Sequence, residues 1–452
     1  MKLNFFAILA MCVSSVSIAQ TDPKVFTLRQ CIDYALTNNT LVKNATLDEY
    51  ISKYKVQEFL GTGLPQASAN FSAQHSDPLR RMFLQNTPGS AFSSYFGNAP
   101  YGTVVAIPNL FQLKNTADAS VTVNQILFSN SFFVGLKAAK TFALLATANK
   151  EFSKIQVIEN VSKAYYLTVI NAERRNLFDV NISRVDSLLK QSRSMYNSGF
   201  AEKIDVDRLE VTYNNLLTEK IKSDNMMLIS VILLKYQMNM PLDQEFGVFD
   251  NIQNIVLDST ITGGADYGNR IEYRQLQTQM QLDKLNYKLN QQGYLPTANL
   301  SANLGVFNQS PEFDYLTKGH AFYNYGTYSF NVSMPLFTGL GRVKRTQQAR
   351  LNYEKTQNNL ERFKSTAAMQ TSTSEIAYKN SLQALSVQKR NAELAKEVAR
   401  VTRIKFTSGT GPNIEVVTAE ASLKEAQINY YSALYDALVA RVDYDKALGN
   451  LK

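Results

Sequence analysis

Two stretches of the chain alternate between small apolar and small polar residues. In residues 66–75 alanine and phenylalanine occupy one face, while glutamine, serine and asparagine occupy the other, and residues 298–304 repeat this arrangement. A period of two predicts β-strands with one face in an apolar phase and one in water. A half-buried hairpin of a soluble protein has the same pattern, so the flanking segments must decide between a membrane sheet and a soluble one.

Each alternating stretch follows a Leu-Pro pair and is matched by a second strand that ends near a Leu-Phe pair. The four strands are predicted at about residues 66–76, 119–126, 298–307 and 326–335. The loop between the first two, residues 76–118, contains several prolines and glycines. We expect this loop to lack regular structure and to lie on the outer surface of a barrel.

Two long segments contain neither glycine nor proline. Residues 136–198 and 342–408 predict helices about 95–100 Å long. Each breaks at a Ser-Gly pair, and a second helix follows. Apolar residues recur at coiled-coil spacing, which predicts antiparallel α-helical coiled-coil hairpins at residues 129–240 and 338–448. Shorter helices are predicted at about residues 27–36, 47–60 and 268–292.

The two halves of the chain share this order of elements. Ser198 and Ser408 are 210 residues apart, and the residues around them also match. We therefore expect an internal duplication, with structural repeats at residues 20–242 and 243–452. The matched residues around the breaks are Arg193, Gly199 and Glu210 in the first half and Arg403, Gly409 and Glu420 in the second.

The N-terminus predicts export. A short basic start, an apolar stretch and small residues before Gln20 make residues 1–19 a predicted signal peptide. Cys12 would allow lipidation, but the bulky Met11 before it disfavours this. After cleavage Cys31 is the only cysteine, so no intrachain disulfide can form.

The formal net charge of +9 does not indicate a nucleic-acid partner. Lysine and arginine are spread along the helical segments and alternate with acidic residues, without a concentrated basic block. No uninterrupted apolar run of about 18 residues follows the signal peptide, so we expect no spanning helix. Any membrane crossing must then be made by strands.

Four strands cannot close a barrel alone. An open sheet in lipid leaves the N–H and C=O groups of its edges unpaired, and closed barrels need about eight strands or more. Two chains would supply eight strands and a filled interior, whereas three would supply twelve and a pore. The expected fold class is an α+β membrane protein, in which long coiled-coil hairpins project into the periplasm and four strands per chain form a shared 12-stranded barrel of a homotrimer.

The duplicated order of elements, the Leu-Pro before each first strand, the Leu-Phe after each second strand and the Ser-Gly breaks carry a family resemblance. Over residues 26–448 the chain resembles the TolC-like outer-membrane efflux proteins. The resemblance implies a homotrimer whose barrel is joined to an α-helical tunnel. It also implies two partners, a periplasmic adaptor (membrane fusion) protein and an inner-membrane transporter.

The resemblance assigns the hairpin tips to the closed entrance and to contact with the adaptor. Just past the tips, Asp205 and Glu415 match the family's acidic segment, and a trimer would carry a ring of six such carboxylates that attracts cations. Alternatively, both acids face water or complement the helix dipole. The family often carries a second acid three residues later, where this chain has Arg208 and Thr418. The tip residues are Ser198, Gly199, Phe200, Ser408, Gly409, Thr410 and Gly411.

Arg193 and Arg403 lie one turn before the two breaks. They either hold the tips shut through ion pairs or are surface arginines without a role. No catalytic, cofactor or metal site is expected, because His75 and His320 are the only histidines and each falls in a strand or loop context.

The sequence thus predicts a non-enzymatic exit duct of a tripartite efflux or secretion system. Such a duct is a passive trimeric channel in outer-membrane lipid. The alternative is an exported structural coiled-coil or adhesin protein without a pore. An outer-membrane enzyme would need a constellation of catalytic residues that the sequence does not offer.

Overall fold

A computed structural model describes residues 25–248, 267–313 and 321–451. The predicted signal peptide, Cys12 and His320 lie outside the described residues. The chain divides into two compact units, each assembled from segments of both predicted repeats. Among the described residues, the helical unit comprises 25–49, 146–248, 267–277 and 359–451, and the sheet unit comprises 50–145, 278–313 and 321–358.

The described residues form eight β-strands and seven α-helices, which are numbered separately in chain order. The strands are β1 (Val25–Phe26), β2 (Gln66–His75), β3 (Met82–Gln85), β4 (Val104–Ile107), β5 (Asn115–Ser129), β6 (Gly247–Val248), β7 (Thr297–Ser310) and β8 (Tyr323–Ser333). The α-helices are α1 (Leu28–Asn38), α2 (Thr40–Gly61), α3 (Asn130–Asn197), α4 (Lys203–Met238), α5 (Ile271–Gln291), α6 (Gly341–Thr407) and α7 (Asn413–Leu448).

One four-stranded antiparallel sheet forms the centre of the sheet unit. Its order is β2-β5-β7-β8, so the pairing of β5 with β7 joins the two halves of the chain. Strands are present at all four predicted positions, and β5 and β7 extend further than predicted. The edge strands are β2 and β8. Among the described residues, β2 pairs only with β5 and β8 pairs only with β7, so each has one unpaired edge.

The register of the sheet keeps like residues on the same face. Ala69 lies opposite Val121, which lies opposite Leu304, while Asn70 lies opposite Ser120 on the other face. Because side chains alternate along each strand, this register makes one face apolar across the sheet and the other polar. The apolar face includes Ala67, Ala69, Phe71, Val121, Val123, Leu300, Leu304, Tyr328, Phe330 and Val332.

The segment between β2 and β5 is more ordered than the sequence predicts. It contains the antiparallel pair β3 and β4 and one turn of 3-10 helix at Ser93–Tyr95. The prediction of a structureless loop was therefore wrong. Strands of four residues are too short to give a readable alternation between prolines and glycines.

The first two helices are separated at Asn39. Thr27 and Gln30 form a capping box at the start of α1: the Thr27 side chain accepts the Gln30 N–H, and the Thr27 N–H donates to Gln30 Oε1 at 2.9 Å. The start of α2 was predicted seven residues too late, because the Asn39 side chain already accepts the Leu41 N–H at 2.8 Å and begins the helix there.

The long helices pack at the predicted coiled-coil positions. Phe178, Val185 and Leu189 of α3 are buried against Val206 and Leu209 of α4. A second cluster joins α1, α3, α4 and α7 within the helical unit and includes the buried free thiol of Cys31. These clusters cover part of the apolar surface of α3, a helix about 100 Å long that would not be stable alone.

Among the described residues, α3 is the one helix long and apolar enough, by length and composition, to span a membrane. The expectation that no helix spans a membrane stays a prediction. Core helices of soluble proteins satisfy the same test, so it does not by itself make α3 a membrane span.

Candidate functional site

The two hairpin tips fold in the same way. Gly199 and Gly409 have φ angles of 78° and 75°, a left-handed conformation that glycine adopts without strain. The next residue donates its N–H back to the helix, Phe200 to Met195 O at 2.8 Å and Thr410 to Lys405 O at 2.9 Å. Both tips are thus Schellman turns, which end the helix and leave the Phe200 side chain exposed.

Asp205 and Glu415 lie in the first turns of α4 and α7. Asn413 joins these helix starts, because its Nδ2 donates to the main-chain oxygen of Asp205 at 3.2 Å. Arg208 lies 3.6 Å from the Asp205 carboxylate. The arginine found where the family often has an acid therefore offsets part of the charge of Asp205. The position of both acids also fits the alternative of a favourable contact with the helix dipole.

Arg193 and Arg403 form equivalent ion pairs within their own hairpins. Arg193 of α3 lies 2.9 Å from Glu210 of α4, and Arg403 of α6 binds Glu420 of α7. Each pair connects the two helices of one hairpin about one to two turns from its tip. The structure does not bring the two arginines together, and a role in closing the entrance stays a prediction.

Glu420 has a second partner that the sequence did not reveal. Arg184 of α3 donates to its carboxylate at 3.0 Å, so this almost fully buried acid connects the first hairpin to the second. The two partners are 236 residues apart, and position 394, which corresponds to Arg184 in the second half, is a leucine. Neither local spacing nor the repeat pattern could have predicted the contact.

A groove of about 430 Å³ opens between α6 and α7 near the second tip. Glu415 lines it beside small and apolar residues, so one candidate aperture acid faces a concave surface within the helical unit. The other lining residues are Ala395, Val398, Thr402, Ile414, Thr418, Ala419 and Ser422.

The polar face of the sheet carries an acid that the sequence reading missed. The Tyr325 hydroxyl of β8 donates to Asp118 of β5 at 2.7 Å, across the intervening strand β7. The ring passes over Gly305, where an added Cβ would lie 2.8 Å from both the Ala119 oxygen and the ring. A strand glycine opposite an aromatic residue is the signal that could have indicated this contact.

His75 lies at the end of β2 and shares a 2.7 Å hydrogen bond with Asn115. Its ring also contacts Phe313 edge-on. Within the described ranges, no cluster of three histidine, cysteine or acidic side chains is suited to a metal ion.

Residues 268–450 match the family described as Outer membrane efflux protein. The chain is 23% identical over 342 residues to the outer membrane protein TolC of Vibrio cholerae. The aligned region covers 74% of this chain and 76% of that relative. The outer membrane protein TolC of Escherichia coli is 21% identical over 351 residues, and that alignment covers 75% of this chain and 70% of the relative's length. The predicted resemblance to TolC-like outer-membrane efflux proteins is confirmed. The family is one of channels and not of enzymes.

Solved structures show the same fold. The outer membrane protein VceC of Vibrio cholerae superposes with a TM-score of 0.70 at 13% identity, covering 93% of this chain and 96% of its own. The open state of the MtrE outer membrane channel of Neisseria gonorrhoeae gives 0.72 at 17% identity, over 94% and 89%. This TolC-like fold extends over both units, and the family match includes the second tip and Glu415.

Proposed function

We propose that this chain is one third of a trimeric exit duct in the outer membrane. The observation that carries the proposal is the β2-β5-β7-β8 sheet, with its apolar face, its polar face and its two unpaired edges. Lipid would solvate the apolar face, and a wet lumen would solvate the other. The edges must be paired, because backbone groups without partners are costly in hydrocarbon.

Three copies satisfy these demands. Pairing β8 of one copy with β2 of the next turns three four-stranded sheets into a closed barrel of twelve strands. A barrel of this size leaves space for a channel, whereas eight strands would be filled by their own side chains. The charged helices lie outside the lipid, in the periplasm. Each chain would contribute one strand pair from its first half, β2 and β5, and one from its second half, β7 and β8. Pairs from the two halves would therefore alternate around the barrel.

The duct is proposed to act passively between other components. A periplasmic adaptor and an inner-membrane transporter would deliver the substrate and supply the energy. The turns at Ser198–Phe200 and Ser408–Gly411 are the proposed adaptor contacts, since residues 198–200 and 408–410 are exposed to solvent in the single chain. Export through the predicted signal peptide would bring the chain to the outer membrane.

A direct test combines mass and conductance. Purified protein in detergent should have three times the mass of one chain, and it should form channels in a planar bilayer. The rival function, a structural coiled coil or adhesin, predicts no conductance. A folded monomer without channel activity would overturn the proposed function.

Asp205 and Glu415 are proposed to form a carboxylate ring at the periplasmic entrance. Three copies would supply six acids, and such a ring in a narrow aperture favours cations. The double variant Asp205→Ala with Glu415→Ala should lose cation preference, seen as a shift of the reversal potential towards zero in a salt gradient. Asp207→Ala, two residues from Asp205, is the matched control. An unchanged reversal potential in the double variant would exclude the ring.

A further inference from the structure

The polar face of the four-stranded sheet carries a single acidic side chain. Asp118 is the only aspartate, glutamate, lysine or arginine in β2, β5, β7 and β8. Its neighbours along the same face of β5, Thr116 and Ser120, are neutral. The charge is therefore not part of a general charge pattern of the sheet and needs its own explanation.

Asp118 has no positively charged partner among the residues that the structure describes. Its Oδ2 accepts the Tyr325 hydroxyl at 2.7 Å, and its Oδ1 accepts no hydrogen bond from these residues. Lys114, the nearest cationic residue along the chain, lies 3.1 Å from Asp77 instead. A neutral hydroxyl does not compensate the charge of the half-buried carboxylate, so its second oxygen can receive a cation from solution.

Three aromatic rings lie beside this carboxylate on the same face. Phe307 of β7 lies opposite Asp118 on one side and opposite Tyr323 of β8 on the other. Its ring centroid is 6.1 Å from those of Tyr323 and Tyr325, with angles of 45° and 66° between the ring planes. Rings inclined in this way do not stack on one another, and Phe307 and Tyr323 are 38% and 62% exposed. We call Asp118, Phe307, Tyr323 and Tyr325 the aromatic–acid cluster.

These are the only aromatic residues on the polar face of the four strands. Further along this face, β7 and β8 carry serine, threonine and asparagine. Aromatic belts of membrane proteins face the lipid, where this sheet has Phe71, Tyr328 and Phe330, so a belt does not account for the cluster. Exposing apolar rings to water has a free-energy cost, which a bound ligand would recover.

The cluster lies at the end of the sheet that is remote from the strand-to-helix junctions. β5 continues into α3 at Asn130, 12 residues after Asp118 and about 40 Å along an extended strand. β8 begins at Tyr323, and its other end leads towards α6. In the proposed barrel, this end of the sheet opens to the medium.

A carboxylate beside aromatic rings is the arrangement that binds organic cations. The acid attracts the positive charge, and the faces of the rings attract it through their quadrupoles, as in the aromatic cages that bind quaternary ammonium groups. A strongly hydrated inorganic cation would use the carboxylate but gain little from the rings. An anion would be repelled by Asp118.

We propose that the aromatic–acid cluster binds an organic cation, a protonated or quaternary amine, in the lumen of the barrel near its outer end. The inference rests on the proposed function, because the barrel makes the polar face a lumen. Three copies supply three such sites, which a cationic substrate passes before it leaves the duct.

Saturation-transfer NMR with tetraethylammonium chloride measures this binding on the purified protein in a nonionic detergent. Asp118→Asn keeps an acceptor for the Tyr325 hydroxyl but removes the charge, and it should raise the Kd about tenfold. Tyr323→Leu keeps an apolar side chain but removes a ring, and it should raise the Kd several-fold. Tyr328→Leu changes the same residue type on the apolar face of the same strand, so this control should leave the Kd unchanged.

Mass and bilayer conductance of the same preparations separate this inference from the proposed function. A trimeric channel that does not bind tetraethylammonium, or whose Asp118→Asn variant binds it as the parent does, overturns the site and leaves the duct intact. A Kd that responds to Asp118→Asn but not to Tyr323→Leu shows a fixed charge without an aromatic site, and also overturns it. So does an equal response to Tyr328→Leu. A protein that forms neither trimers nor channels overturns the duct, and the lumenal site with it.

Discussion

Gly305 is the residue that allows Tyr325 to reach Asp118 across the sheet. Alanine here would place a Cβ 2.8 Å from the Ala119 main-chain oxygen, which cannot move without breaking the pairing of β5 with β7. We expect Gly305→Ala to cost about 1–3 kcal/mol of stability, the range for overpacking. A lower thermal unfolding midpoint in detergent, followed by circular dichroism, would reveal it.

Gly326 provides the matched control on the next strand. Its added Cβ would meet only the end of the Leu304 side chain, at 3.0 Å, which can rotate away. Gly326→Ala should therefore shift the midpoint much less than Gly305→Ala. Equal shifts would mean that any added methyl group harms the sheet and that Tyr325 has no special place in it.

At the scale of elements, Glu159 connects α3 to α7. Burial alone would raise the pKa of its carboxyl, but hydrogen bonds and charge attraction from Lys163 and Lys446 hold the pKa below the ordinary 4.5. Because the folded-state pKa is lower than that of the unfolded chain, the stabilisation is complete well above pH 4.5 and is lost as the pH falls through the folded-state pKa.

This linkage predicts how the helical unit responds to acid. At pH 7 Glu159→Gln should lower the free energy of unfolding by about 1.5–3 kcal/mol, which is the typical contribution of a hydrogen bond to a charged group. Once the pH has fallen below the folded-state pKa of Glu159, which lies under 4.5, the variant and the parent should converge, because the parent carboxyl is then protonated. Glu361→Gln, which removes an exposed pair with Lys364, should change little at any pH. Thermal midpoints across the pH range check both curves.

The elements differ in how well the sequence reports them. The long helices could be predicted because runs without glycine or proline and an apolar spacing of three and four residues are local signals, and the Ser-Gly breaks mark both turns. β3 and β4 could not, since pairing between distant short strands creates them. The Arg184–Glu420 contact could not be predicted either, because only tertiary packing brings α3 next to α7.

At the scale of the whole molecule, the proposed trimer should cover apolar surface that a single chain leaves exposed. Leu228 and Ile232 of α4 are 62% and 50% exposed, and Met369 of α6 is 58% exposed. Met369→Glu would place a carboxylate on such a surface. An unpaired buried charge costs about 3–5 kcal/mol, so trimers should dissociate at concentrations where the parent remains assembled, measured by light scattering in detergent.

A control variant distinguishes a contact between copies from a general loss of folding. Glu159→Met with Lys446→Tyr replaces the ion pair between α3 and α7 by less polar side chains, and replacing a buried ion pair by apolar side chains is often neutral. This variant should remain trimeric. A Met369→Glu protein that stays trimeric would show that position 369 lies outside the contact between copies. The position of that contact matters because every junction of a closed ring must repeat it.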